Sequence, residues 1–365
     1  MTQALLKPVK LGRYTLKNRV VMAPMTRVRA TPDNNVTDIM IEYYRQRASA
    51  GLIVSEGLIV SPDGAGYIQT GAIWSRRHVT DWKKITDAVH EEGGRIFAQL
   101  WHTGAVSNPK FHNGYPPRAP SAVNPNTQTF SADGFLPSVV PREMTTADIK
   151  ELVDNFRQAA ANAIEAGFDG VQLHGGNGYI FDQFLRDGSN KRTDEYGGSI
   201  ENRARFQFEV LDAVIAEIGE DRVSLRLAPS GVVQVSPESD TRSTYTYVIE
   251  RLNDYKNLAF LEVLETLRSD MVKEVEFDDP SRVEDVAKYY REIYKGTFMA
   301  NGGFTRETGN QTIEEGVADL VSFGAYYIAN PDLVERFEQK AELNAIDEAN
   351  MYMGEALGYT DYPKL

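Results

Sequence analysis

The sequence contains no cysteine. That removes disulfides, a thiolate nucleophile, thiolate-ligated zinc and iron–sulfur clusters from consideration. No apolar run approaches the roughly 20 residues that a bilayer-spanning helix needs. The opening residues, MTQALLKPVKLGRYTLKN, lack the apolar core and small-residue cleavage site of a signal peptide, so the expected location is cytoplasmic. Basic residues are in deficit: 39 Lys and Arg against 52 Asp and Glu give a formal charge of -13. A general nucleic-acid binder needs a basic face and is not expected here. A local pocket for an anionic cofactor is compatible with the same charge. There is no low-complexity tract and no internal repeat.

What is present is ordinary for a soluble protein: 42% hydrophobic and 25% charged residues in a chain of 365. That length buries a substantial core, and one domain over residues 1–365 is the reading adopted. Short apolar runs alternate with helix-like stretches along the whole chain. Val20–Ala23 precedes a helix around Val36–Ala50. Leu52–Ser55 precedes one around His78–Glu91, and Arg95–Leu100 comes after it. A stretch from Thr103 to Pro141, rich in Pro, Asn, Ser and Gly, has no clear period and reads as a lid or binding loop. Thr145-Thr146-Ala147-Asp148 has the capping-box pattern that opens a helix running to Ala166. Then come Gly170–Leu173, a helix over Ile200–Ile218, Val223–Leu227, a helix over Ser239–Asn253 and Ala259–Val263. The series ends with a helix over Val283–Ile293, Thr297–Ala300, a helix over Thr305–Glu315 and Leu320–Phe323. Eight strand–helix units in series predict an α/β fold of the (β/α)₈ barrel type, with the long excursion after the third strand. The alternation alone also fits a doubly wound open sheet.

One segment draws the chemistry together. GFDGVQLHGGNGY, Gly167 to Tyr179, sets a buried strand between a helix-ending glycine and a cluster of His174, Asn177 and Tyr179. An imidazole, an amide and a phenol at one strand end can offer several donors to one small ligand. In a barrel the C-terminal strand ends converge on one site. They supply Pro24 and Thr26, Glu56 or Gly57, Gln99 and Trp101, His174 and Asn177, Arg226, Asn301-Gly302-Gly303, and Gly324-Ala325. Polar side chains on four strands with glycines on the last two suggest a ligand with a polar head and a phosphate. Glycine-rich turns after the seventh and eighth strands are where barrels commonly hold phosphate on backbone N–H groups.

Longer motifs go further. MAPMTR (Met22–Arg27), YYRQRASAGLIVSEG (Tyr43–Gly57), QLWHTG (Gln99–Gly104), HGGNGYIFDQFLRDGSNKRTDEYGGSIENRARF (His174–Phe206), FGAYYIANPDL (Phe323–Leu333) and GYTDYP (Gly358–Pro363) resemble the Old Yellow Enzyme family. Thr26 places the resemblance nearer that family's classical branch. The resemblance implies an FMN-dependent ene-reductase that takes hydride from NADPH or NADH and reduces electron-poor alkenes such as enones, enals, maleimides and nitroalkenes. It also implies binding of phenol-like ligands and a monomer or homodimer, with no nucleic-acid or membrane partner and no metal.

Residue by residue, the resemblance implies that Pro24, Thr26, Gly57, Gln99, Arg226, Gly302, Gly303, Gly324 and Ala325 border FMN. Arg226 is similar to a cation beside the flavin's pyrimidine edge, where negative charge gathers on reduction. His174 and Asn177 resemble the pair that grips a substrate oxygen. Tyr179 resembles the proton donor, while Tyr67, Trp101 and Tyr352 resemble aromatic walls that contact substrate. One departure stands out. Ala325 occupies a position where the family commonly has an arginine that reaches the FMN phosphate, so looser FMN binding is expected unless backbone N–H groups or Arg306 compensate. A non-redox barrel lyase and a non-catalytic flavin binder are the alternative readings.

Overall fold

The computed structural model describes residues 3–231, 236–265 and 281–365. Eight parallel strands close into a barrel: β1 (Val20–Met22), β2 (Leu52–Ile59), β3 (Ile96–Trp101), β4 (Gly170–Gly175), β5 (Val223–Leu227), β6 (Phe260–Leu264), β7 (Phe298–Asn301) and β8 (Leu320–Phe323). Each pairs with its sequence neighbours, and β8 returns to β1 through Val321–Val20, Ser322–Val21 and Phe323–Met22. The open doubly wound sheet is thereby excluded. A register shift between Val54 and Gly57 interrupts the β2–β3 ladder. Such a bulge re-aims a strand end, here the one that carries Glu56 and Gly57.

Two apolar shells hold the barrel. Outside it, buried residues such as Phe156, Phe181, Phe206, Leu211 and Val248 pack helices on strands. Inside its lower half, Val21, Leu52, Val54, Phe97, Phe260, Met299 and Leu320 form a separate cluster. Leu11 and Leu16 complete that cluster from an N-terminal hairpin, Val9–Leu11 with Tyr14–Leu16. The lower barrel is thus closed by apolar side chains, and the open end is the C-terminal one.

The crossover helices obey their sequence signals, with shifted ends. The helices Thr146–Glu165 and Ile200–Ile218 lie where the pattern predicts, and Thr145 and Asp148 form the expected capping box. The first helix is Asp38–Gln46 rather than Val36–Ala50. Thr37 is extended, and the Arg47 guanidinium takes the Tyr43 carbonyl that a further turn would use. The helix expected over Val283–Ile293 starts at Val286, where the Glu265 carboxylate accepts from Val286 N and Ala287 N at 3.0 and 2.7 Å. Those are free N–H groups of a helix start, and an anion there is favourable. The Thr103–Pro141 excursion contains an antiparallel hairpin, Gln128–Ser131 with Gly134–Pro137, and its Arg118–Ala119 pairs with Arg142–Glu143 just beyond its end. Among the described residues, no helix is long and apolar enough to cross a membrane.

Candidate active site

At the C-terminal end of the barrel lies a cavity of about 520 Å³. Pro24, Thr26, Gly57, Gln99, His174, Asn177, Tyr179, Tyr67, Trp101 and Tyr352 all line it, so ten of the residues singled out from sequence meet in one place. The register explains why. Gly57 sits opposite Gln99, Gln172 opposite Gln99, and His174 opposite Arg226. A side chain at Gly57 would strike the Trp101 indole, whose Cε3 lies 2.7 Å from where a Cβ would stand. The glycine is what lets that ring lie along the wall.

The turn after β4 is tightly specified. Asn177 and Gly178 have φ of 58° and 75°, the left-handed region that Asn and Gly tolerate best. Asp182 accepts from Gly178 N at 2.9 Å, and Gln183 donates to Gly178 O at 2.7 Å. Tyr179 is consequently held at the start of a short helix, Ile180–Leu185. Its ring lies 5.2 Å from the His174 ring and 5.0 Å, edge-on, from the Trp101 ring. The Tyr179 and Tyr67 hydroxyls are 3.5 Å apart.

The electrostatics separate the two acids. Burial, then the nearby Arg226 charge, lowers His174 to about 3, so the imidazole is neutral in any ordinary buffer. Burial and the neighbouring Tyr67 push Tyr179 well above its usual value, so the phenol keeps its proton. Three buried nitrogens of this region have no partner among the described residues: His174 Nδ1, Trp101 Nε1 and Arg226 Nε. An unpaired buried polar group costs on the order of 1–3 kcal/mol, which marks these as positions awaiting a ligand. With Gln99 and Thr26 on the wall and apolar Met25, Ile328 and Met351 beside them, the cavity suits a large, flat, polar-edged ring such as FMN.

Arg226, Gly302, Gly303, Gly324 and Ala325 do not line the cavity. Arg226 lies buried behind it, donating to Glu262 Oε1 at 2.9 Å and Asn301 Oδ1 at 3.0 Å. The four others come directly after β7 and β8. Gly303 has φ of 71° and open space around it, and Ala325 is exposed. Arg306 donates through Nε to the adjacent Glu307 at 2.9 Å, so its guanidinium is already engaged.

Several cavity residues went unnoticed in the sequence. Phe130 and Phe135 arrive on the excursion hairpin, their rings 5.1 Å apart. An Asp133-Gly134 pair between apolar segments is a hairpin signal that would have found them. Met351, also unnoticed, comes on a C-terminal strap beside the expected Tyr352. Arg27 donates to Met351 O at 2.9 Å and Gly358 O at 2.8 Å, and Arg29 donates to Asn350 O at 2.9 Å.

A family model, described as the NADH:flavin oxidoreductase / NADH oxidase family, matches residues 4–344. The chain belongs to that family. Among curated relatives, 12-oxophytodienoate reductase 7 of Oryza sativa subsp. japonica is 42% identical, covering 99% of this chain and 94% of the relative. For 12-oxophytodienoate reductase 2 of Arabidopsis thaliana the figures are 41%, 99% and 96%. Among solved structures, the old yellow enzyme homologue from Zymomonas mobilis aligns with a TM-score of 0.93 at 41% identity, over 99% of this chain and 100% of that one. Morphinone reductase in complex with tetrahydroNAD aligns with a TM-score of 0.90 at 40% identity, over 99% and 98%. This member of the NADH:flavin oxidoreductase family is therefore an FMN-dependent, NAD(P)H-using oxidoreductase on a (β/α)₈ barrel, as the resemblance implied.

Proposed function

We propose that this flavin oxidoreductase is an ene-reductase, a single FMN-binding domain that reduces alkenes conjugated to a carbonyl or nitro group. The observation that carries the reading is the pairing of a neutral imidazole with a protonated phenol, 5.2 Å apart, in one cavity. Bound FMN supplies a carrier that takes hydride from NADPH or NADH and delivers it to carbon.

The residues of the chain do the rest. Pro24, Thr26, Gly57 and Gln99 form the wall that would hold the flavin, with Arg226 as the cation behind it. Backbone N–H groups at Gly302, Gly303, Gly324 and Ala325 would hold its phosphate. His174 and Asn177 donate to the substrate's activating oxygen. This drains electron density from the conjugated double bond and stabilises the enolate-like charge as hydride reaches the β carbon. His174 cannot itself be the acid, because its cationic form is not populated at neutral pH. Tyr179 can: its O–H bond breaks as the α carbon gains the proton, and the phenolate recovers a proton from solvent. Trp101, Tyr67 and Tyr352 exclude water and orient the alkene. The names of the relatives, an oxo acid reductase and a morphinone reductase, favour ketone-activated alkenes.

The test is direct. Purified protein loaded with FMN is expected to be yellow, to bleach with NADPH or NADH under nitrogen, and to recover its colour when 2-cyclohexenone is added. Failure to bind FMN overturns the reading. A bleached protein that no enone reoxidises leaves a flavoprotein with another acceptor.

A further inference from the structure

Behind the cavity wall a continuous buried network joins Arg226 to Gln99 through residues that the proposed mechanism does not use. Glu262, on β6 and fully buried, receives Arg226 Nη1 at 2.9 Å and the Ser322 hydroxyl at 2.6 Å on Oε1. Its Oε2 accepts from Gln172 Nε2 at 2.7 Å. Gln172 Oε1 in turn accepts from Gln99 Nε2 at 2.8 Å. Arg226 Nη2 donates to Asn301 Oδ1, whose Nδ2 donates to the Ser322 hydroxyl at 2.7 Å. Every member of this circuit is buried.

The chemistry of a carboxylate has two consequences here. First, the only full charge touching Arg226 within this circuit is negative, so a carboxylate 2.9 Å away offsets part of the cation that the cavity meets. Second, a carboxylate only accepts. Gln172 must therefore turn its NH₂ towards Glu262, and its carbonyl must then meet the NH₂ of Gln99. Gln99 lines the cavity and is left with its carbonyl as the free end. The amide polarity at the wall is set two residues away.

We propose that Glu262 is a positioning residue for the flavin site, offsetting part of the Arg226 charge and, through Gln172, fixing which end of the Gln99 amide the cofactor meets. The proposal rests on the flavin reading above. A bare Arg226 would favour the more negative, reduced cofactor; the Glu262-paired one favours it less.

Each arm has its own variant. Glu262→Gln keeps the shape and removes the charge. With FMN bound, its equilibrium preference for the reduced cofactor is expected to rise at least tenfold, a midpoint shift of about 30 mV for a two-electron couple. A midpoint equal to wild type overturns the charge arm. If that chain does not fold, Glu262→Asp draws the carboxylate one methylene from Arg226 and should give a smaller rise, with no rise again overturning it. Gln172→Met cuts the relay and leaves the ion pair. FMN titration of the apoprotein should then show at least fivefold weaker binding with the midpoint unmoved, and unchanged affinity overturns the relay. A wild-type apoprotein that does not take up FMN sinks the flavin reading instead.

Discussion

The two halves of the barrel mouth are built differently. From β3 to β6 the groups are side chains: Gln99, His174, Arg226 and Glu262, each tied to its neighbour across the sheet. From β7 to β8 the side chains Asn301 and Ser322 turn inward to the same network. Just beyond them the chain is nearly bare backbone, Gly302-Gly303 and Gly324-Ala325. Side-chain recognition is directional and charged, so one substitution can abolish it. Backbone recognition is spread over several weak donors and tolerates changes in sequence, at the cost of a cation that could have added affinity.

The largest break should come on the side-chain half. Tyr179→Phe removes the acidic proton and leaves the ring contacts with Trp101 and His174. The re-oxidation of reduced protein by an enone should slow by about 10²–10⁴, the usual contribution of a positioned acid. Reduction by NADPH or NADH should change little, because that half-reaction needs no proton from this phenol. Stopped-flow measurement of both half-reactions separates them. Equal slowing of both would reassign Tyr179 to packing.

A second prediction concerns stability at the neighbouring β2. Glu56 sits at the β2 bulge, fully buried, with Oε2 unpartnered among the described residues, and burial raises it to about 7. Its folded value exceeds its unfolded one, so this group's stabilising share is present at low pH and is lost as pH rises between about 4.5 and 7. Glu56→Gln removes that loss. Its stability relative to wild type should climb through this window and level off above it, gaining on the order of 3 kcal/mol from a shift of this size. His174 contributes a slope of opposite sign in both proteins, because its folded value is depressed, and so drops out of the difference. Urea melts of both chains at several pH values check it; parallel curves would mean that Glu56 stays ionised.

How much of this contrast can be read from sequence depends on where the information sits. Alternation located the eight units, and at the helix after the excursion the capping pair Thr145 and Asp148 gave its start as well. Strand ends were legible because the barrel brings them together whatever the loops do. Glu262 and Gln172 were not. Inside short, fully buried strands such as FLEVL and GVQLHG, a single polar residue breaks no period, and its partner lies on another strand. The strap carrying Tyr352 depends on Arg27 and Arg29 meeting carbonyls more than three hundred positions away, and no local pattern encodes that. The aromatic hairpin was a missed turn rather than an unreadable one.

The backbone half offers the smallest effect and the sharpest comparison. Ala325 is exposed, at the first turn of a short helix, Ala325–Ala329, that starts directly after Gly324. A longer side chain there meets solvent rather than a packed core. Ala325→Arg should therefore fold normally and tighten FMN, with the dissociation constant falling by about tenfold, as one charge-assisted contact to phosphate would give. Riboflavin, which lacks the phosphate, should bind both chains alike, and that control carries the argument. If riboflavin tightens as well, the gain is general charge attraction to a chain that remains strongly acidic. If neither ligand tightens, the glycine N–H groups already saturate the phosphate, and this half of the mouth needs no side chain.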